Sequence, residues 1–226
     1  VRVVRALLVV VIVIAAFAVS ARALDGPQPQ AVGTAVSAPV RLAVVGDSLS
    51  AGASRYLGNG LDDGTWITSA VGDDIEFVGG WARSGATPDQ MARHVQPVPD
   101  VDVLVILAGT NAVRLHRTLA EEADAYRDVV RSIRPHSVII AALPPYDWQP
   151  DAAAAYNRAL RELAVSEGWL WGDPWKFARD GSTWVDGVSA DGTHPAGPDQ
   201  YRRLGDAMRE LILRAHDDEA ITLAAE

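Results

Sequence analysis

The sequence contains no cysteine among its 226 residues. That absence excludes disulfide staples, a thiolate nucleophile, zinc–cysteine sites and a lipid anchor attached through cysteine. The fold must then rest on burial alone, for which a chain of this length with 49 % apolar residues suffices. Basic charge is also short, with 20 Lys+Arg against 29 Asp+Glu and a net charge of −9. An acidic chain lacks the electrostatic footprint of sequence-independent nucleic-acid binding, so no nucleic-acid partner is expected. The apolar content excludes intrinsic disorder, and the length bounds the domain count at one or two.

Carboxylates are missing altogether from residues 1–23, which carry Arg2, Arg5 and Arg22. The remainder therefore holds 17 basic and 29 acidic residues, a balance of −12. Between Arg5 and Ser20 runs ALLVVVIVIAAFAV, followed by Ala21-Arg22-Ala23. A basic start, a short apolar run and an A-x-A site read as a secretory signal peptide cleaved after Ala23. Left uncleaved, the segment is a signal anchor, although the run is shorter than the ~20 residues that span a bilayer comfortably. The expectation is a secreted or extracytoplasmic protein that meets a membrane only through this segment. Residues 24–39 mix Gly, Pro, Gln and Ser without a sustained period, the composition of a flexible linker.

From residue 40 onward short apolar runs alternate with longer amphipathic stretches. Val40–Val45, Ile75–Val78, Val101–Leu107 and Ser137–Leu143 are β-branched-rich and bounded by Gly, Pro or Asp, with Gly168–Trp171 a weaker fifth. Continuous apolar strands of this kind suit a parallel sheet covered on both faces. Leu119, Ala123, Tyr126, Val130 and Ile133 step by three and four, the stripe of an amphipathic helix. Tyr156, Leu160 and Leu163 repeat it, as do Tyr201, Leu204, Met208 and Leu211. The alternation predicts one three-layer α/β/α sandwich over residues 40–216, with a mostly parallel, about five-stranded, flavodoxin-like sheet. Residues 217–226 read as a short tail.

In an open parallel sheet the ligand site lies beyond the carboxyl ends of the strands, so the loops there are the places to look. Gly46-Asp47-Ser48-Leu49-Ser50-Ala51-Gly52 follows the first strand. A serine opening a helix at a strand end meets free N–H groups and a positive dipole. Ser50 stands where the nucleophile elbow of α/β-hydrolases has its second glycine, so this is a different device. Read alone, Asp47-Ser48 is equally a helix cap. Arg83-Ser84-Gly85-Ala86-Thr87-Pro88 follows Gly79-Gly80, taken here as a turn, and by itself is only a second turn. In Ala108-Gly109-Thr110-Asn111 the asparagine has an amide to donate toward a reaction centre, or simply caps a loop. Asp191 and His194 stand three residues apart before the last helix, a spacing that lets a carboxylate fix an imidazole tautomer.

This ordered set resembles the SGNH, or GDSL, hydrolase family over residues 41 to about 212. GDSLSAG at 46–52 is similar to its first block, SGAT at 84–87 to its second, GTN at 109–111 to its third and DGTH at 191–194 to its fifth. The resemblance implies an ester hydrolase of the lipase-like kind working through an acyl-enzyme. Ser48 would be the nucleophile, His194 the general base and Asp191 its orienting acid. The N–H groups of Ser48 and Gly85 and the Asn111 amide would form the oxyanion hole. One departure is plain: the third block usually reads G-x-N-D, and Ala112 follows Asn111 here.

No cofactor and no metal are expected, and the protein is expected to be a monomer acting on a small-molecule, glycan or lipid ester. Arg114 and His116, on the loop after Asn111, are candidates for substrate contact. Trp148, after the fourth strand, is another, since an aromatic ring at a site mouth suits a sugar or acyl face. His94, His136 and His216 read as solvated surface groups, and most of the seven tryptophans as core. Three rivals stand beside this reading. Asp47, Asn111, Asp191 and His194 would make an oxygen-rich metal site. The same layout hosts non-catalytic ligand-binding modules. An acyltransferase differs only in its acceptor alcohol.

Overall fold

The computed structural model describes residues 38–52, 56–57, 61 and 64–224. The expected export segment and residues 24–37 of the expected linker lie outside the described residues. Strand β1 (Val40–Gly46) is followed by the one-turn helix α1 (Ser48–Ala51), the short strand β2 (Tyr56–Leu57) and helix α2 (Ile67–Ala70). Then come β3 (Ile75–Arg83), α3 (Pro88–His94), β4 (Val103–Leu107), α4 (Thr110–Arg114) and α5 (Leu119–Ile133). The chain continues through β5 (Ser137–Ala141), α6 (Pro150–Glu167) and β6 (Leu170–Gly172). A two-residue hairpin, β7 (Arg179–Asp180) with β8 (Thr183–Trp184), precedes the terminal helix α7 (Pro198–Ala224).

The sheet order is β2-β3-β1-β4-β5-β6, with β3, β1, β4, β5 and β6 parallel and β2 antiparallel at the edge. Alternate side chains leave a strand on opposite faces, so each central strand feeds two cores. Leu42, Val44, Val103 and Val105 join Trp66, Ile67, Leu204 and Met208 on the face covered by α2 and α7. Ala43, Val45, Leu104 and Ile106 join Met91, Tyr126, Val129 and Leu160 under α3, α5 and α6. This is the three-layer sandwich with a five-strand parallel sheet that the alternation predicts.

Three details differ from the sequence reading. Gly79-Gly80 is no turn but the middle of β3, which runs five residues past Val78. The β1 register slips there, Leu42 pairing with Phe77 and Ala43 with Gly79, which leaves Val78 as a bulge. A Cβ on Gly80 would sit 1.9 Å from the Val44 carbonyl oxygen, so only glycine lets the strands meet. The buried face of α5 is Leu119, Glu122, Ala125, Tyr126, Val129 and Ile133, rotated from the expected stripe. Ala123 and Val130 are only partly covered, and Glu122 takes a place on the buried face, where Arg117 reaches it at 2.8 Å and makes its burial tolerable. Finally, α7 continues through Ala224, so the stretch from Asp217 prolongs a helix.

β1 lies between β3 and β4, and the chain visits those two neighbours in opposite directions from it. Such a switch point opens a crevice at the carboxyl ends of the strands. Three loops meet that edge, those after β1, β3 and β4.

Candidate active site

The loop after β1 turns directly into α1, with Asp47 as its N-cap and its Oδ1 accepting from Leu49 N–H at 3.0 Å. Asp47 is completely buried. Burial pushes its carboxyl up to about 6, against the pull of the Leu49 N–H and the nearby His194. The cap reading of Asp47-Ser48 and the strand-end serine are therefore both present at once. Ser50 points inward, where Trp66 Nε1–H donates to its Oγ at 3.0 Å. A Cβ on Gly46 would come within 2.7 Å of that same oxygen, which accounts for glycine at the end of the strand.

Across the crevice, Ser48 Oγ lies 2.8 Å from His194 Nε2. His194 Nδ1 lies 2.7 Å from Asp191 Oδ2. The second Asp191 oxygen accepts from the backbone N–H of Thr193 at 2.8 Å and of His194 at 2.7 Å. Partial burial raises the Asp191 carboxyl, but its bonds from the His194 ring and the two N–H groups outweigh that and hold it below the usual range. An acceptor on Nδ1 places the ring proton there and leaves Nε2 basic toward Ser48.

Sequence reasoning did not single out Ser189. Its hydroxyl donates to the His194 carbonyl at 2.7 Å and accepts from Gly192 N–H at 3.0 Å, closing the turn that carries Asp191 and His194. The signal was available: a serine two residues before an aspartate in a Gly-containing turn is a frequent side-chain-to-backbone staple.

Gly85 has φ +80°, and a Cβ there would meet nothing within 4 Å, so its backbone borders open space. Asn111 is 8 % exposed. Its Nδ2 donates to the Ala86 carbonyl at 3.1 Å and faces Asp47 Oδ2 at 3.4 Å, which joins the three loops. Ala112, which stands where the third block usually has aspartate, is fully buried, and Asn111 Oδ1 accepts from Arg114 Nε at 3.3 Å. Behind this loop Gly109 has φ +125°, and Tyr126 OH donates to the Ala108 carbonyl at 2.8 Å.

Trp148 is 72 % exposed, yet its indole N–H donates to the Asp191 carbonyl at 3.0 Å, which fixes the ring beside the Asp191–His194 turn. Asp147 N–H bonds Gly192 O at 3.0 Å in the same place. His116 is not drawn into this cluster by any contact among the described residues. It lines a separate apolar cavity of about 430 Å³ with Val113, Leu119, Ala152 and Tyr156. Among the described residues no three His, Asp or Glu side chains are grouped as metal ligands. Both nitrogens of His194 and both oxygens of Asp191 are committed to the contacts above.

Comparison with known proteins places this geometry in context. Residues 44–198 match the model of the GDSL-like Lipase/Acylhydrolase family. A search of curated proteins finds no match to the sequence. Among solved structures, a lipolytic G-D-S-L family protein from Veillonella parvula is similar at 18 % identity and TM-score 0.58, covering 77 % of this chain and 98 % of that one. A carbohydrate esterase family 3 protein from Talaromyces cellulolyticus is similar at 18 % identity and TM-score 0.59, covering 79 % and 99 %. An acetyl esterase mutant solved with an acetate ion is similar at 16 % identity and TM-score 0.56, again covering 79 % and 99 %. At these identities the structures attest the shared fold, whereas the family match spans most of the chain and every block singled out above. The chain belongs to the GDSL-like lipase and acylhydrolase family, and its chemistry is ester hydrolysis.

Proposed function

We propose that the protein cleaves carboxylic esters through an acyl-enzyme on Ser48. The observation that carries the reading is the unbroken chain from Ser48 Oγ to His194 Nε2 at 2.8 Å and from His194 Nδ1 to Asp191 Oδ2 at 2.7 Å. His194 takes the Ser48 proton as Oγ attacks the ester carbonyl carbon, and the carbonyl π pair moves onto oxygen. Asp191 orients the ring and stabilises its imidazolium form. Collapse of the tetrahedral adduct breaks the bond to the alcohol oxygen, which takes the proton from His194. Water then repeats the sequence on the acyl-enzyme and releases the acid.

The N–H groups of Ser48 and Gly85 and the Asn111 amide receive the oxyanion. Of the two Asn111 contacts, that to Asp47 at 3.4 Å is the longer, and giving it up frees a hydrogen for the substrate oxygen. Each such donor contributes on the order of 10²–10³ in rate. Trp148, exposed and fixed at the rim, offers a flat apolar face to a sugar or acyl group. Short-acyl or O-acetyl esters are the substrates this reading favours. The basic, apolar N-terminal segment supports a secreted or extracytoplasmic setting for such substrates.

Ser48→Ala is expected to lower kcat/KM for p-nitrophenyl acetate by about 10⁴-fold or more, with the melting temperature kept. His194→Ala falls about as far, and the double variant no further, because the pair acts as one unit. Wild-type turnover in Ser48→Ala would remove the acyl-enzyme reading.

A further inference from the structure

Arg114 has a use that the hydrolytic steps leave open. It is an exposed residue in the last turn of α4, where a cation ordinarily serves the terminal carbonyls. Those carbonyls are already occupied. Leu115 N–H bonds Asn111 O, His116 N–H bonds Val113 O and Arg117 N–H bonds Ala112 O, at 2.9–3.2 Å. The guanidinium instead turns back so that Nε donates to Asn111 Oδ1 at 3.3 Å. It also lies near Tyr146, whose phenol is raised by burial and drawn back by the Arg114 charge. Tyr146 is two residues before Trp148, so Arg114 stands between the Asn111 loop and the loop that carries the rim tryptophan.

No carboxylate among the described residues lies within 4 Å of the Arg114 guanidinium, whereas Arg117, one turn on, is paired with both Glu122 and Asp89. A guanidinium has five N–H donors, and Asn111 takes only the one on Nε. Among the described residues the two Nη groups have no hydrogen-bond partner, and their planar fork matches a carboxylate in bidentate fashion. Arg114 therefore has no carboxylate partner among the described residues, and its fork beside the proposed oxyanion donor is open to an anionic group of the substrate.

We propose that Arg114 selects esters that carry a carboxylate a few bonds from the scissile carbonyl. The selection rests on the ester-hydrolase reading of the same site. The leaving alcohol must face His194 to receive its proton, and Arg114 is reached from the Asn111 side. The acyl half is therefore the nearer home for the carboxylate, and probes of both halves separate the cases.

The test compares two pairs of esters at low ionic strength. Monophenyl adipate against phenyl hexanoate places the charge in the acyl half, and 4-acetoxybenzoate against 4-acetoxybenzamide places it in the alcohol half. In Arg114→Gln the anionic-to-neutral ratio of kcat/KM should fall about 10- to 100-fold for at least one pair, chiefly through KM. Arg114→Lys should keep part of the preference, since it retains the charge and loses the fork. The neutral esters should lose less, by the share that reflects a loosened Asn111. Unchanged ratios in both pairs, with all four esters still hydrolysed, would overturn the role of Arg114 and leave the hydrolase reading standing. A wild-type protein that cleaves none of the four would overturn both.

Discussion

The two halves of the proposed active site are held by different physics. The Ser48 half, with Asp47, Asn111 and Gly85, is built on the ends of β1, β3 and β4, and its anchors are dry. Asp47 is fully buried and Asn111 nearly so. The Asp191–His194 half is a turn at the surface, with Asp191 exposed, and it is held by short bonds between side chains and backbone. Sheet packing fixes the first half, and any change there is felt by the whole fold. The second half is fixed locally, so it should tolerate loss with little effect on stability while activity suffers.

The sharpest way to break this contrast is in the strand that positions the first half. Gly80→Ala drives a Cβ into the Val44 carbonyl, between two central strands. A loss of more than about 4 kcal/mol is expected, seen as a collapse of the urea midpoint or of soluble yield. An unperturbed melt would mean that β1 and β3 do not pair as described.

Asn111→Ala removes a proposed oxyanion donor and the bridge between three loops. Its kcat should fall about 10²–10³-fold, with KM changing less.

Asp47 sharpens the comparison through pH. Its folded-state value of about 6 lies above the ordinary 3.8, so the folded protein holds this proton more tightly than the unfolded chain. Stability from this group is therefore greatest below about pH 4, falls as pH rises to about 6 and then levels. The full drop is about 3 kcal/mol as an order of magnitude. Asp47→Asn should erase that ramp, so its stability relative to wild type improves between pH 4 and 7. Urea melts across that range would show it, and parallel curves for the two proteins would contradict it.

The smallest effect belongs to the surface half. Ser189→Ala cuts the staple to His194 O and Gly192 N. Activity should fall about fivefold, the scale of one hydrogen bond of about 1 kcal/mol, while the melting temperature moves little. A large drop in melting temperature would show that the turn is not locally held.

The contrast also explains what could be read before any coordinates. The strands β1 and β4 and the helices α6 and α7 follow from apolar periodicity, because burial imposes that period on the sequence. Asp47, Ser48, Asn111 and the Asp191–His194 pair sit at strand ends or in one short turn, so spacing within the chain exposes them. Ser189 acts through contacts in space, to His194 O and Gly192 N, and while Arg114 could be picked out by its place after Asn111, its bond to Asn111 Oδ1 could not, because no periodicity records such contacts. The β3 extension through Gly79-Gly80 was hidden for a related reason. Two glycines ordinarily punctuate a turn, and only the approach of Val44 reveals why a strand needs them.

The central claim is that Ser48 carries the acyl group. Its most direct test is to quench the protein during steady-state turnover of p-nitrophenyl acetate and map the acetylated peptide by mass. Wild-type protein should carry an added acetyl group on Ser48 that is absent from Ser48→Ala. An acetyl group on another residue, or none on Ser48 in samples quenched during a pre-steady-state burst of p-nitrophenol, would contradict it.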